Sequence, residues 1–157
     1  MRRSAAFVVS AALLGALSGC GASDDETPTA CLSPPKAYLA ALEDAPGEVR
    51  LQEETAISDG LGASQGPGTQ ADVGETVIAV ATELNRDALR DRGGRATVEL
   101  GYLVGAVQEG AARSSGINAD LVRRLDAAAR FNPHPGAFGA AFERAYGKGY
   151  AAGQETG

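Results

Sequence analysis

Apolar residues recur at intervals of three and four along much of this chain, which is the spacing of one face of an α-helix. The clearest case is the stretch 72–92, whose regularly spaced apolar residues are Val73, Val77, Val80, Ala81, Leu84 and Ala88. Asp72 can cap the first turn, and Glu75 follows it three residues later, as in a capping box. Gly93 and Gly94 then end the periodic pattern. We therefore predict a helix over 72–92.

Further stretches with the same periodicity predict an all-α fold. The predicted helices cover 35–44, 96–113, the segment from its cap Asn118 to Asn132, and 137–152. The stretch 48–59 fits two patterns. Residues 49–51 alternate like a strand, whereas Val49, Ala56 and Ile57 fit a helical stripe, and we expect a helix. Four glycines and a proline make 60–68 a loop. The fold expected is a small bundle of four or five helices.

The predicted helices 96–113 and 137–152 also carry small and aromatic residues at fixed steps. The last helix has an aromatic ridge that steps by four and consists of Phe138, Phe142, Tyr146 and Tyr150. A smooth ridge beside it consists of Ala141, Ala145, Gly149 and Gly153. The helix 96–113 contains Gly101 and Gly105, four residues apart. We expect the side of that helix with Gly101 and Gly105 to take close neighbours inside the bundle.

The first twenty residues have the organisation of a bacterial export signal. Arg2 and Arg3 precede an apolar run over 5–17 that is too short for a permanent membrane span of ~20 apolar residues. The run ends in Leu17-Ser18-Gly19-Cys20, which resembles the lipobox of bacterial lipoproteins. The resemblance implies that Cys20 receives a diacylglycerol, that the chain is cut just before it, and that membrane lipid is a partner. It places the protein in the bacterial cell envelope, anchored to a membrane and facing outward from the cytoplasm.

These features divide the chain into three parts. Residues 1–19 are the expected lipoprotein signal peptide, 20–33 the lipidated cysteine with a flexible tether, and 34–157 the helical domain. Residues 21–30 carry several acidic residues and no large apolar one, which is typical of a disordered tether.

Charge narrows the range of partners. The formal net charge is −6, and loss of Arg2 and Arg3 with the signal peptide would take it to −8. An acidic chain without a basic stripe does not suit nucleic acid, so no nucleic-acid partner is expected.

Cysteine and histidine content gives no sign of a metal or cofactor. The chain has two cysteines, and lipidation of Cys20 leaves Cys31 without a partner in the same chain. Cys31 is then either a small packing residue, which we favour, or the site of a disulfide to another chain. His134 is the single histidine and lies between two prolines, so no His/Cys cluster with metal-ligand spacing exists.

One motif leaves an enzymatic alternative open. Residues 62–66, Gly-Ala-Ser-Gln-Gly, match the nucleophile elbow of α/β-hydrolases, and Ser64, Asp126 and His134 follow the chain order of the serine, acid and histidine. That chemistry needs a strand before the serine and a helix directly after it. No strand pattern precedes Ser64, so a serine hydrolase using Ser64 and His134 is the alternative function.

The leading interpretation is a non-catalytic binding or interaction module on a membrane anchor, with an envelope protein as its partner. The tyrosine end of the aromatic ridge is the expected contact surface. Tyr146 and Tyr150 can offer aromatic area while their hydroxyl groups stay in water.

Overall fold

The computed structural model describes residues 27–62, 66–132 and 138–157, and within these ranges the fold is helical without a β-sheet. The five α-helices are α1 (Pro35–Leu42), α2 (Pro67–Ala88), α3 (Arg95–Arg113), α4 (Ala119–Ala129) and α5 (Ala140–Thr156). Two short 3₁₀ helices precede α1 and α2, at Thr29–Leu32 and Ile57–Leu61. The predicted all-α bundle is confirmed.

Helix α3 is the centre of the bundle. Every residue from Glu99 to Val107 is buried, so this part of α3 is enclosed on all sides rather than on one face. Helices α2, α4 and α5 and the second 3₁₀ helix pack around it. The other helices therefore take their positions from α3.

Helices α3 and α5 approach one another closely enough to bring their backbones into contact. A methyl group at Gly101 would overlap the carbonyl oxygen of Tyr146, and one at Gly105 would overlap that of Tyr150. The glycines of α5 match this arrangement, since a methyl group at Gly153 would lie 2.9 Å from the amide nitrogen of Ala106. The predicted close packing on the Gly101 and Gly105 side is confirmed.

Helix α2 buries the predicted stripe, but its ends differ from the prediction. Each of the six stripe residues between Val73 and Ala88 is buried. The helix begins at Pro67, because proline suits the first turn of a helix, where an amide hydrogen has no partner anyway. Asp72 is therefore exposed inside the helix, and the predicted capping box is wrong.

Helix α4 is joined to α2 and to the second 3₁₀ helix through Asn118. Asn118 stands at the N-cap of α4 but makes no side-chain capping bond. Its amide nitrogen instead donates to the carbonyl oxygen of Leu61 at 3.0 Å, and its amide oxygen accepts from Gln70 at 2.7 Å. The predicted cap residue thus serves as a buried link between three elements.

The expected helix over 48–59 is wrong except at its end, where Ile57 begins the second 3₁₀ helix. Leu51 and Thr55 form an isolated antiparallel bridge with bonds of 2.8 and 3.1 Å, and the two residues after Leu51 have positive φ. Val49 and Leu51 are both buried while Arg50 is partly exposed, as in extended chain. The alternation over 49–51 was the correct signal. The predicted loop over 60–68 is also partly wrong, because its two ends lie in helical elements.

The folded body begins before the predicted domain boundary at residue 34. Within the predicted tether 20–33, residues 27–33 pack on the bundle, and Ala30 and Cys31 are buried. The fully buried Tyr38 donates to the carbonyl oxygen of Cys31 at 2.7 Å, which ties this segment to α1. The first described residue of the body is Thr27.

Candidate partner-binding groove

The aromatic residues before and along α5 form the continuous ridge that their spacing predicts. Successive ring centroids lie 4.4, 5.6 and 6.2 Å apart from Phe138 to Tyr150, with the rings stacked. Phe142 is fully buried, Tyr146 is 7% exposed and Tyr150 is half-buried. The ridge therefore runs out of the core toward solvent at Tyr150.

The glycine contact between α3 and α5 fixes where Tyr150 lies. Because backbone meets backbone at Gly101 and Gly105, the register of the two helices leaves little freedom. In this register the Tyr150 hydroxyl donates to the side-chain oxygen of Gln108 on α3 at 2.5 Å.

A chain of hydrogen bonds extends from Tyr150 across three helices. The Tyr150 hydroxyl accepts from Gln154 at 3.0 Å, and the amide nitrogen of Gln108 donates to Asp126 Oδ1 at 3.1 Å. Each donor meets an acceptor, as the chemistry of these groups allows. These bonds hold the polar side chains of α3, α4 and α5 in place.

Arg130 covers the inner tyrosine. Its guanidinium lies 4.8 Å from the centroid of the Tyr146 ring, and its Nη1 lies 3.5 Å from Glu143 Oε1. Burial raises the pKa of Tyr146 to about 12, although the nearby Arg130 acts in the opposite direction. Tyr146 is thus a neutral phenol near neutral pH.

These residues form the walls of a groove of about 430 Å³ between α3, α4 and α5. Its lining comprises Gln108, Asp126, Arg130, Glu143, Tyr146, Gly147 and Tyr150. Aromatic area lies beside two carboxylates and one guanidinium. Such a lining can bind a side chain by stacking and hydrogen bonding.

The two predicted partner-binding tyrosines both line this groove, but they contribute unequally. Tyr146 lies in its floor and offers little surface, whereas Tyr150 presents part of its ring and its hydroxyl group. Gln108 and Arg130 were not identified from the sequence. Gln108 lies three residues after Gly105, so the helical spacing could have placed it on the same side of α3. No local sequence pattern identifies Arg130.

Of the three residues of the hydrolase alternative, the structure describes Asp126. Ser64 and His134 lie outside the described residues, as does Cys20. Asp126 lies in the groove and is bonded to Gln108. The described residues before Ser64 form the 3₁₀ helix Ile57–Leu61, whereas a nucleophile elbow needs a strand there.

Cys31 lies inside the body. Its side chain is fully buried, with the sulfur 3.9 Å from the carbonyl oxygen of Ala56. Burial, with a smaller contribution from Asp59, raises the pKa of the thiol to about 12. A disulfide to another chain would require this part of the body to open.

Over 27–62, 66–132 and 138–157, no three His, Cys, Asp or Glu side chains are grouped so that they could hold a metal ion. No helix in these ranges has both the length and the apolar character needed to cross a membrane.

Comparison of the chain with protein-family models, with curated proteins and with solved structures found no match.

Proposed function

We propose that the protein is a lipoprotein of the bacterial cell envelope, anchored through acylated Cys20, whose helical body is a non-catalytic binding module. The anchor is supported by the resemblance of Leu17-Ser18-Gly19-Cys20 to a lipobox behind a short apolar run. Two or more acyl chains hold a protein stably at a membrane, whereas a single chain holds it only marginally.

The length of chain between anchor and body limits where a partner can lie. Cys20 and Thr27 are seven residues apart, so the connection spans roughly 25 Å at most. The body therefore works within a thin layer next to the membrane. Confinement of this kind raises the effective concentration of a partner anchored in the same membrane and makes a small contact area sufficient.

The observation that supports the groove as the contact surface is the half-buried Tyr150 at the outer end of the aromatic ridge. Its hydroxyl is held by Gln108 and Gln154, so the ring is oriented before a partner arrives. Ordering side chains in advance reduces the entropy cost of binding. Tyrosine is also frequent among residues that dominate binding energy at protein interfaces.

The test is affinity capture of an envelope protein from native membranes with the intact chain and its variants. Tyr150→Ala should lower the recovery of a specific partner about tenfold or more, because loss of a central aromatic contact costs ~2 kcal/mol. Glu155→Ala is the matched control, since Glu155 is exposed on the same helix outside the groove lining.

The hydrolase alternative is examined in the same experiment with Ser64→Ala and His134→Ala. Both variants should recover the partner as well as the unmodified chain does. If they abolish recovery while Tyr150→Ala leaves it intact, the binding-module proposal is wrong.

A further inference from the structure

A second cleft, separate from the aromatic groove, lies between α2 and α4. It has a volume of about 500 Å³, and its walls are mainly apolar. The lining side chains include Thr82, Asn85, Leu89, Ala127, Ala128 and Phe131. The Phe131 side chain is 63% exposed, the largest exposed fraction among the large apolar side chains in the described ranges. A cleft of this size is within the range of small-molecule sites in proteins.

Asn85 is the unusual member of the lining. Its side chain is 3% exposed, and its amide nitrogen donates to the carbonyl oxygen of Phe131 at 2.6 Å. This bond identifies the nitrogen end of the amide, so the oxygen is the atom without a partner. The remaining atom, Oδ1, is buried and has no hydrogen-bond donor among the described residues.

An unpaired buried acceptor is costly and rare in native proteins, so a donor is expected from a water molecule or from a bound group. Water is a poor candidate, because a buried water molecule needs two to four polar partners. Thr82 is the other polar uncharged residue in the lining, and its hydroxyl already donates to the carbonyl oxygen of Ile78 at 2.8 Å.

We propose that this cleft binds a small, neutral and mainly apolar molecule that donates one N–H or O–H group to Asn85 Oδ1. A carboxylate or phosphate at that point would place acceptor against acceptor. A cation would find no carboxylate in the lining. Arg86 is the single charged lining residue, and it lies 3.6 Å from Glu83 and 3.7 Å from Asp87, so its charge is already matched.

The test compares phenol with anisole, which has a similar ring but carries a methyl group in place of the hydroxyl hydrogen. Binding is followed by NMR chemical-shift mapping on the full mature chain, prepared as Cys20→Ala to keep lipid out of the sample. Phenol should shift the signals of Asn85, Leu89 and Ala128 and should bind on the order of tenfold more tightly than anisole. Asn85→Leu should remove the difference between the two probes.

A second variant tests binding in the cleft without changing Asn85, in case Asn85→Leu does not fold. Ala127→Phe places a ring in the cleft from its exposed wall and should abolish binding of both probes. Ala119→Phe, also at an exposed position of α4, should leave binding unchanged. The proposal is overturned if phenol and anisole bind equally, if the shifts map to another surface, or if neither probe binds. The aromatic groove is not involved, so Tyr150→Phe should leave phenol binding as it is.

Discussion

Replacing either of two α5 glycines, only two residues apart, by alanine should change the free energy of unfolding in opposite directions. Gly149 faces α3, where a methyl group would overlap the carbonyl oxygen of Val98 and lie 2.9 Å from the amide nitrogen of Tyr102. Gly147 is exposed and has open space around the position of a methyl group. Alanine at each position therefore separates helix propensity from close packing.

The magnitudes follow from these surroundings. Alanine is favoured over glycine inside a helix by about 1 kcal/mol, and Gly147→Ala should gain up to that amount. At Gly149 the atoms that must move belong to the backbone, so no change of rotamer relieves the overlap. Overlap with backbone places the overpacking cost in the upper part of the usual ~1–3 kcal/mol, so after a propensity gain of ~1 kcal/mol Gly149→Ala should be destabilised by roughly 1–2 kcal/mol net.

Thermal and urea unfolding, followed by the far-ultraviolet circular dichroism signal, measure both variants against the unmodified chain. With about 4 °C per kcal/mol for a domain of this size, Gly147→Ala should melt a few degrees higher and Gly149→Ala several degrees lower. Equal shifts of the same sign would refute the close approach of α3 and α5. The same conclusion would follow if Gly149→Ala alone were stabilised.

Four further predictions concern other parts of the body and the anchor. Cys31 should react with a thiol reagent at pH 8 only after unfolding, because burial raises the pKa of its thiol to about 12; fast labelling of the native chain would contradict its burial. Burial also raises the pKa of Glu99, although Arg95 Nε lies 2.9 Å from its carboxylate and opposes the shift. The folded state then holds this proton more tightly than the unfolded state, so the contribution of Glu99 is greatest below pH 4.5 and is lost as pH rises through the folded pKa. Glu99→Gln should flatten the dependence of unfolding free energy on pH above 4.5, and an unchanged slope would contradict this. Asn118→Ala should cost about 1–3 kcal/mol in urea unfolding, because it leaves the buried end of α4 without its bond to Leu61; a change below 0.5 kcal/mol would contradict the role of that bond. Cys20→Ala should move the protein from the detergent phase to the aqueous phase on phase partitioning, and identical partitioning of both forms would exclude the lipid anchor.

The helical stripes could be predicted because they depend on local spacing alone. The stripe of α2 from Val73 to Ala88 repeats at helical intervals, as do the glycines spaced by four on α3 and α5, so their burial follows from the pattern. The ridge of small residues on α5 is buried at Gly149 and Gly153 but exposed at Ala141. Close packing on the Gly101 side of α3 was predicted for the same reason. Glycines four residues apart leave a smooth surface that a neighbouring helix can approach.

The segment 48–59 could not be assigned correctly, because its conformation depends on distant partners. The amide of Val49 donates to the hydroxyl of Tyr102 at 3.3 Å, and this hydroxyl also lies 2.9 Å from Thr156 Oγ1. A pairing between residues 53 positions apart leaves no periodic trace in the sequence. The helical pattern at Ala56 and Ile57 corresponds to the start of the short 3₁₀ helix Ile57–Leu61, not to a helix over the whole segment.

The candidate groove was predicted only in part, for a related reason. Tyr146 and Tyr150 belong to a visible ridge, but the guanidinium beside the Tyr146 ring comes from Arg130, which lies on the chain just beyond α4. The partner of Tyr150 is Gln108, and that pairing depends on the register of α3 against α5. Sequence spacing identifies a face of one helix, whereas a groove needs the positions of three.

Site-specific photocrosslinking in native membranes tests the proposed binding module most directly. A photoreactive phenylalanine derivative replaces Gly147, which lines the groove and has open space around it, or Ala79, which is exposed on α2 outside the groove. The chain labelled at Gly147 should give one discrete crosslinked product with an envelope protein, and Tyr150→Ala in that chain should remove it. The chain labelled at Ala79 should give no such product. The same product from both positions, or its persistence with Tyr150→Ala, would contradict binding through the groove.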